Sequence, residues 1–266
     1  MITTARSAET RKICDAERVA GARVGFVPTM GALHAGHRSL IHRARDETTF
    51  VVVSVFVNPT QFGPHEDLAA YPRTLDDDLR ICEAEGVDLV FHPDADEIYP
   101  EPPRATIHIE GLTETMEGAH RPGHFDGVCL VCTKLFSIVG WCTAYFGQKD
   151  AQQLRVIKQL GRDLDLPVDV VGCETIRDAD GLALSSRNAY LAPDERARAL
   201  ALPRALRAIE NGSSLEEGRS MLADVEVDYL VMVDPDTLEP VAHGPALVCG
   251  AIRVGATRLI DNVTTA

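Results

Sequence analysis

Phe50-Val51-Val52-Val53-Ser54-Val55-Phe56-Val57 is apolar on both faces that an extended chain presents, whereas a strand with one wet face would alternate. A run of that kind belongs in the middle of a parallel sheet, with a helical layer on each side. Outward from it the chain alternates short apolar runs with longer amphipathic ones. Strands are predicted at residues 24–27, 50–57, 87–91, 143–146 and 168–171, and helices at 36–46, 75–85, 128–138 and 151–160.

Past Cys173 the character changes. A polar segment at 177–187 leads into an Ala- and Arg-rich helical stretch at 193–210, a loop at Asn211-Gly212-Ser213-Ser214, and strand-like runs at 227–233, 246–253 and 258–261. The expected fold class is therefore α/β: a Rossmann-like parallel sheet with helices on both faces over residues 1–175, and a smaller C-terminal α+β domain over 176–266. Tyr99-Pro100-Glu101-Pro102-Pro103 and His120-Arg121-Pro122-Gly123-His124 read as loops over the sheet.

The chain has 266 residues and a formal net charge of −14. That balance argues against a broad basic surface for DNA or tRNA, so no nucleic-acid partner is expected. ATP needs only a few local cations and backbone N–H groups, helped by a divalent cation. No run approaches the length of a membrane helix and the first residues lack the form of a secretory signal, so a cytoplasmic location without membrane contact is expected. The seven cysteines read as free thiols. Cys129 and Cys132 have the spacing of a redox or zinc pair but lie in an apolar run that reads as core.

Ligands of an open α/β sheet bind beyond the carboxyl ends of the strands. That edge is polar in three places: Pro28-Thr29-Met30-Gly31-Ala32-Leu33-His34-Ala35-Gly36-His37, Asn58-Pro59-Thr60-Gln61, and Gly147-Gln148-Lys149-Asp150-Ala151-Gln152-Gln153. The three clusters are expected to converge. Gly31 and Gly36 let backbone approach a ligand, and a helix starting near Gly36 offers free N–H groups to an anion. His34 and His37 can share a face and donate to phosphate oxygens. The competing readings are a helix cap and a zinc pair, although the segment holds no third zinc ligand. No metal-ligating set is assigned.

Lys149 supplies a point charge for a phosphate, unless it is a surface lysine. Asp150 caps the next helix or accepts from a ribose hydroxyl. The amides of Asn58, Gln61 and Gln153 suit a hydroxy acid bearing both OH and carboxylate. Ser185, Ser186 and Arg187 follow a glycine turn and could close over a triphosphate, or form a local ST turn beside a surface arginine. Asp76-Asp77-Asp78 could hold magnesium but reads better as the solvated first turn of a helix.

Together, Pro28 to His37, Phe56-Val57-Asn58-Pro59-Thr60-Gln61-Phe62, Tyr71-Pro72-Arg73-Thr74, Phe146-Gly147-Gln148-Lys149-Asp150, Leu184-Ser185-Ser186-Arg187-Asn188 and Thr257-Arg258-Leu259-Ile260-Asp261-Asn262 resemble the pantoate–β-alanine ligase family. The His-x-Gly-His element alone would indicate only the wider nucleotidylyltransferase superfamily. The resemblance implies that pantoate attacks ATP to give pantoyl adenylate and pyrophosphate, and that β-alanine then displaces AMP. It implies ATP binding by Met30, Gly31, His34, Gly36 and His37, with His37 as the catalytic acid. Gly147, Lys149 and Asp150 would hold the nucleotide, and Ile176 would lie near the adenine. Leu184, Ser185, Ser186 and Arg187 would form the closing loop, and Gln61 and Gln153 would bind pantoate. Magnesium and a homodimer are implied as well. The chain departs from the family's frequent pattern at Gln148, where Glu is common, and at Thr60, where Met is; the second change is expected to be minor. The rival functions are AMP or CMP transfer to a phosphorylated acceptor, a tRNA synthetase fragment, which charge and length disfavour, and a module that binds nucleotide or metal without chemistry.

Overall fold

The computed structural model describes residues 1–64 and 66–265. In chain order its first elements are β1 (Ile2–Thr4), α1 (Ser7–Val19), β2 (Val24–Thr29), α2 (Ala35–Glu47), β3 (Phe50–Val55), α3 (Leu75–Ala84) and β4 (Leu89–Phe91). Then come α4 (Ala95–Ile98), α5 (Glu117–His120), α6 (His124–Val139), β5 (Cys142–Gly147), α7 (Ala151–Asp163) and β6 (Val168–Cys173). The remainder is α8 (Pro193–Ala199), α9 (Ala201–Glu210), α10 (Leu215–Ser220), β7 (Glu226–Val233), β8 (Ala246–Val254) and β9 (Thr257–Thr265).

Six strands form one sheet in the order β1-β4-β3-β2-β5-β6, and every pair is parallel. β3 is interior, as its two-faced apolar run requires. Successive residues of β3 serve opposite layers: Phe50 and Val52 pack with α1, α6 and α7 side chains such as Cys14, Phe136 and Ile157, while Val51 and Val53 pack with Leu40 and Ile41 of α2 and Cys82 of α3. The chain leaves β2 toward β3 and β4, then returns to pair β5 with the other side of β2. The strand order thus reverses between β2 and β5, and a crevice for ligands opens at the carboxyl ends of such a pair.

By contacts the chain forms two compact units, Met1–Gln148 with Gln153–Cys173, and Lys149–Gln152 with Glu174–Ala266. In the second, β7, β8 and β9 make an antiparallel sheet. Leu202, Leu206 and Ile209 of α9 pack on Leu230, Val248 and Ile252 of that sheet.

Several boundaries differ from the sequence reading. The helical stretch expected over 193–210 is two helices meeting at Leu200. Pro203 lacks the N–H that would continue α8, yet is tolerated in the first turn of α9. Ser214, expected in a loop, caps α10: its Oγ accepts from Glu217 N at 3.1 Å and the Glu217 carboxylate accepts from Ser214 N at 2.7 Å. The last strand runs four residues past Asp261 because its whole length pairs with β8.

Candidate functional site

The loop that follows β2 is built from side-chain acceptors. Gly31 N donates to Thr29 Oγ1 at 3.1 Å, Ala32 N to Asp78 Oδ2 at 3.1 Å, and Leu33 N to Asp78 Oδ1 at 2.8 Å. The turn has φ of 81° at Gly31 and 52° at Ala32, both left-handed. It delivers His34 as the N-cap of α2. His34 Nδ1 accepts from Gly36 N at 3.1 Å, and His37 Nδ1 accepts from His34 N at 3.3 Å. The two rings lie with centroids 4.1 Å apart.

The capping reading of these histidines is therefore correct, and it does not exclude the phosphate reading. An Nδ1 that accepts leaves the proton of a neutral imidazole on Nε2, so each ring carries a fixed Nε2–H donor at the head of α2. Both Nδ1 atoms serve backbone amides, and among the described residues no group of three or more His, Cys, Asp or Glu side chains could hold a metal ion. Asp78 corrects the solvated-turn reading of its acidic run: it is 1% exposed and spends both oxygens on the loop, although Asp76 and Asp77 are exposed as expected.

The second cluster meets the first. Pro59–Gln61 form a 3-10 turn after β3, and Gln61 Nε2 donates to Met30 Sδ at 3.4 Å. Asn58, 1% exposed, donates from Nδ2 to Gln61 Oε1 at 2.9 Å and to Gly127 O at 3.2 Å, while its Oδ1 accepts from Thr60 Oγ1 and Tyr99 OH, both at 2.9 Å. The Asn58 amide is thus engaged inside the fold beside Gln61. The consequence falls on Gln61, whose Oε1 is taken and whose two-proton Nε2 end faces Met30. The Thr60 hydroxyl belongs to this network as well.

Helix α6 closes the turn from behind. A Cβ at Gly127 would lie 2.2 Å from Thr60 O, so only glycine allows this approach. His124 Nδ1 donates to Gln61 O at 2.9 Å, and its Nε2 accepts from Arg121 Nη1 at 3.0 Å. Arg121 grips Glu66 with two hydrogen bonds of 2.7 Å. Burial, reinforced by the Arg121 charge, pushes His124 down to about 4. Burial opposes ionisation of Glu66, but Arg121 outweighs it and holds that carboxyl below its usual range. The segment 120–124, read from sequence as a loop, thus supports Gln61. The residues whose role the sequence reading missed (Thr29, Asp78, Tyr99, Arg121, His124) each have at least one partner far along the chain, which no local signal marks.

The third cluster begins at Gly147, the last residue of β5, and Gln153 lies part-buried on α7. Lys149, at 17% side-chain exposure, is no surface lysine; its Nζ lies 3.6 Å from Asp150 Oδ1, and its carbonyl accepts from Asn262 Nδ2 at 2.8 Å. In the second unit Arg177 holds Asp261 with bonds of 2.6 and 2.9 Å. Leu184 N donates to Ile176 O at 2.9 Å, closing a short hairpin around Gly181. Ser185, Ser186 and Arg187 follow at the start of a 3-10 turn, where Ser185 Oγ accepts from Arg187 N at 3.3 Å. The ST turn is real, and it is the local frame of the proposed closing loop.

Cys129 and Cys132 are buried in the core on α6, and burial pushes Cys129 up to about 12 and Cys132 further in the same direction. Both pack as small apolar groups of the core.

A family model described as pantoate-beta-alanine ligase matches residues 2–264. A pantothenate synthetase of Koribacter versatilis is 48% identical over 96% of this chain and 93% of its own length. The crystal structure of pantothenate synthetase from Thermus thermophilus superposes with a TM-score of 0.92 at 47% identity, covering 99% of both chains. The pantoate-beta-alanine ligase of Francisella tularensis, solved as a complex with beta-gamma ATP and beta-alanine, superposes with a TM-score of 0.86 at 34% identity over 99% of this chain and 97% of its own. With its parallel sheet, reversed strand order and paired histidines, this chain belongs to the pantoate–β-alanine ligase family, and it condenses pantoate with β-alanine at the expense of ATP through a pantoyl adenylate.

Proposed function

We propose that adenylation is carried out at the carboxyl edge of β2, with His34 and His37 on the phosphates. The observation that carries this reading is the pair of rings 4.1 Å apart at the head of α2, each with its Nδ1 engaged. A carboxylate oxygen of pantoate attacks the α-phosphorus, the bond to the bridging oxygen breaks, and pyrophosphate leaves. Charge grows on the non-bridging and leaving oxygens, which is where Nε2–H donors and a helix N-terminus are most effective. His37 then serves as the acid toward the leaving group. Lys149, Ser185, Ser186 and Arg187 supply further cationic and hydroxyl donors to the leaving pyrophosphate. Met30, Gly31, Gly36, Gly147, Asp150, Ile176 and Leu184 bind the nucleotide. Gln61 and Gln153 hold pantoate, and Asn58 orients Gln61.

In the second half, the β-alanine amine attacks the acyl carbon and AMP departs from the tetrahedral intermediate. The enzyme's contribution there is mainly orientation. Magnesium enters as part of the MgATP substrate, where it would offset phosphate charge. A homodimer in the cytoplasm, where ATP is supplied, completes the proposal, and sedimentation equilibrium checks the dimer.

The test is pyrophosphate release from ATP with pantoate alone, followed by AMP and pantothenate after β-alanine is added. Release with pantoate that disappears in His37→Ala supports the assignment. Normal release in that variant overturns it.

A further inference from the structure

We infer that Asp78 is a positioning residue for the adenylation half-reaction: its buried carboxylate fixes the Gly31-Ala32-Leu33 turn and thereby the entry of His34 and His37. The inference rests on the phosphate role proposed above for the two histidines. Three successive amides of this turn end on side-chain oxygens, the first on Thr29 and the next two on the two oxygens of Asp78, one each. A β-turn or a helix would satisfy such amides with backbone carbonyls. Here the acceptor comes from α3, forty-five and forty-six positions along the chain.

The need for it lies in the backbone. Ala32 sits at φ 52°, a left-handed conformation that costs a residue with a Cβ of order 1 kcal/mol or more and persists only where the surroundings over-determine it. Two hydrogen bonds from adjacent amides to one carboxylate provide that constraint, and Thr74 Oγ1 adds a third donor at 3.4 Å. The fit is close. A Cβ at Gly31 would stand 2.9 Å from Asp78 Oδ2 and 3.0 Å from Val55 Cγ1. With Asp78 1% exposed, these donors are what its carboxylate has in place of water.

Asparagine at this position keeps the shape but presents an N–H group to one of the two amides. The turn must then shift, and a displacement of about 1 Å at a reacting group is enough for about a hundredfold loss. The loss should fall on one half-reaction. Asp78→Asn is expected to lower pantoate-dependent ATP–pyrophosphate exchange by at least about tenfold, while aminolysis of supplied pantoyl adenylate by β-alanine stays within about threefold, because that step handles no triphosphate. Adding Ala32→Gly to Asp78→Asn should recover part of the exchange rate, since glycine takes a positive φ without a clamp. Thr29→Val, which loosens the same turn and leaves Asp78 in place, should give the same split in milder form and decides the matter if Asp78→Asn does not fold.

Unchanged exchange in these variants, or equal loss of both half-reactions, overturns the inference. His37→Ala is the control that separates it from the reading it rests on. Exchange that survives His37→Ala sinks the histidine assignment itself, whereas exchange lost there but kept in Asp78→Asn sinks only the role of Asp78.

Discussion

Two segments on which the proposed chemistry depends are built in opposite ways. The Met30 to His37 loop takes its shape from bonds that reach far along the chain: to Asp78 of α3, and through the adjacent Thr29, whose hydroxyl is itself bonded to Ser54 O on β3 at 2.7 Å. The neighbouring Gln61 turn is held in the same manner by Asn58, Gly127 and His124. By contrast, three hydrogen bonds at Ser185 to Asn188 are short-range. Ser185 Oγ accepts from Arg187 N, Asn188 N donates to Ser185 O, and Asn188 Nδ2 donates to Ala183 O. A segment fixed by buried partners across a core keeps one geometry before substrate arrives, which is what preorganised charge stabilisation requires. One framed by its own neighbours can change position without disturbing a core, which is what a closing loop requires.

The sharpest way to break this contrast is to remove the donor that the preorganised loop presents. His37→Ala is expected to lower the adenylation rate by at least about a hundredfold, the usual cost of one lost transition-state donor. Circular dichroism and thermal melting should show the fold intact. Loss much below tenfold would mean that the rigid loop is scaffolding and that the charge is met elsewhere.

Asn58→Ala tests rigidity without touching the nucleotide loop. It removes the Asn58 donor from Gln61 Oε1 and from Gly127 O and lets the Gln61 amide turn over. A lost donor to buried acceptors costs about 1–3 kcal/mol, so the KM for pantoate should rise at least about fivefold. The KM for ATP should move by less than about twofold. Equal changes in both constants would show that the turn is not a separate pantoate subsite.

How much of this was open to the sequence depends on the range of the interaction. The two-faced run at Phe50 located the interior strand, and the Gly-flanked histidines located the turn into α2, because both signals are local. β1 and α1 escaped notice, since three residues make the strand and α1 buries only Thr10 and Cys14. Asp76-Asp77-Asp78 reads as a solvated turn because two of the three are just that; burial of the third is decided by amides at positions 32 and 33. The internal bonds of Asn58 leave no mark in the sequence for the same reason, its partners Tyr99 and Gly127 being distant.

The pH dependence of stability probes the buried support of the Gln61 turn. His124 is held near 4 in the fold, below its value of about 6.5 when unfolded, so the unfolded chain binds the extra proton between these limits. The stability is present in full above pH 6.5 and is lost as the pH falls toward 4. His124→Asn keeps a donor for Gln61 O and removes the titration. Between pH 7 and 4.5 the parent protein should lose on the order of 2 kcal/mol more than this variant in urea unfolding. Parallel curves would show that His124 is not held neutral.

The smallest effect is expected at the locally framed loop. Ser185→Ala removes one acceptor of the ST turn, but the bonds of Asn188 to Ser185 O and Ala183 O remain. Stability should change by no more than about 0.5 kcal/mol, as at a surface position. Adenylation should slow about three- to tenfold, the loss of one hydroxyl among several donors to the leaving group. Pantoate-dependent exchange measured beside Asp78→Asn ranks the two directly. If Ser185→Ala also lowers the melting temperature by several degrees, its loop is part of the rigid frame, and the division between a preformed site and a closing one has to be abandoned.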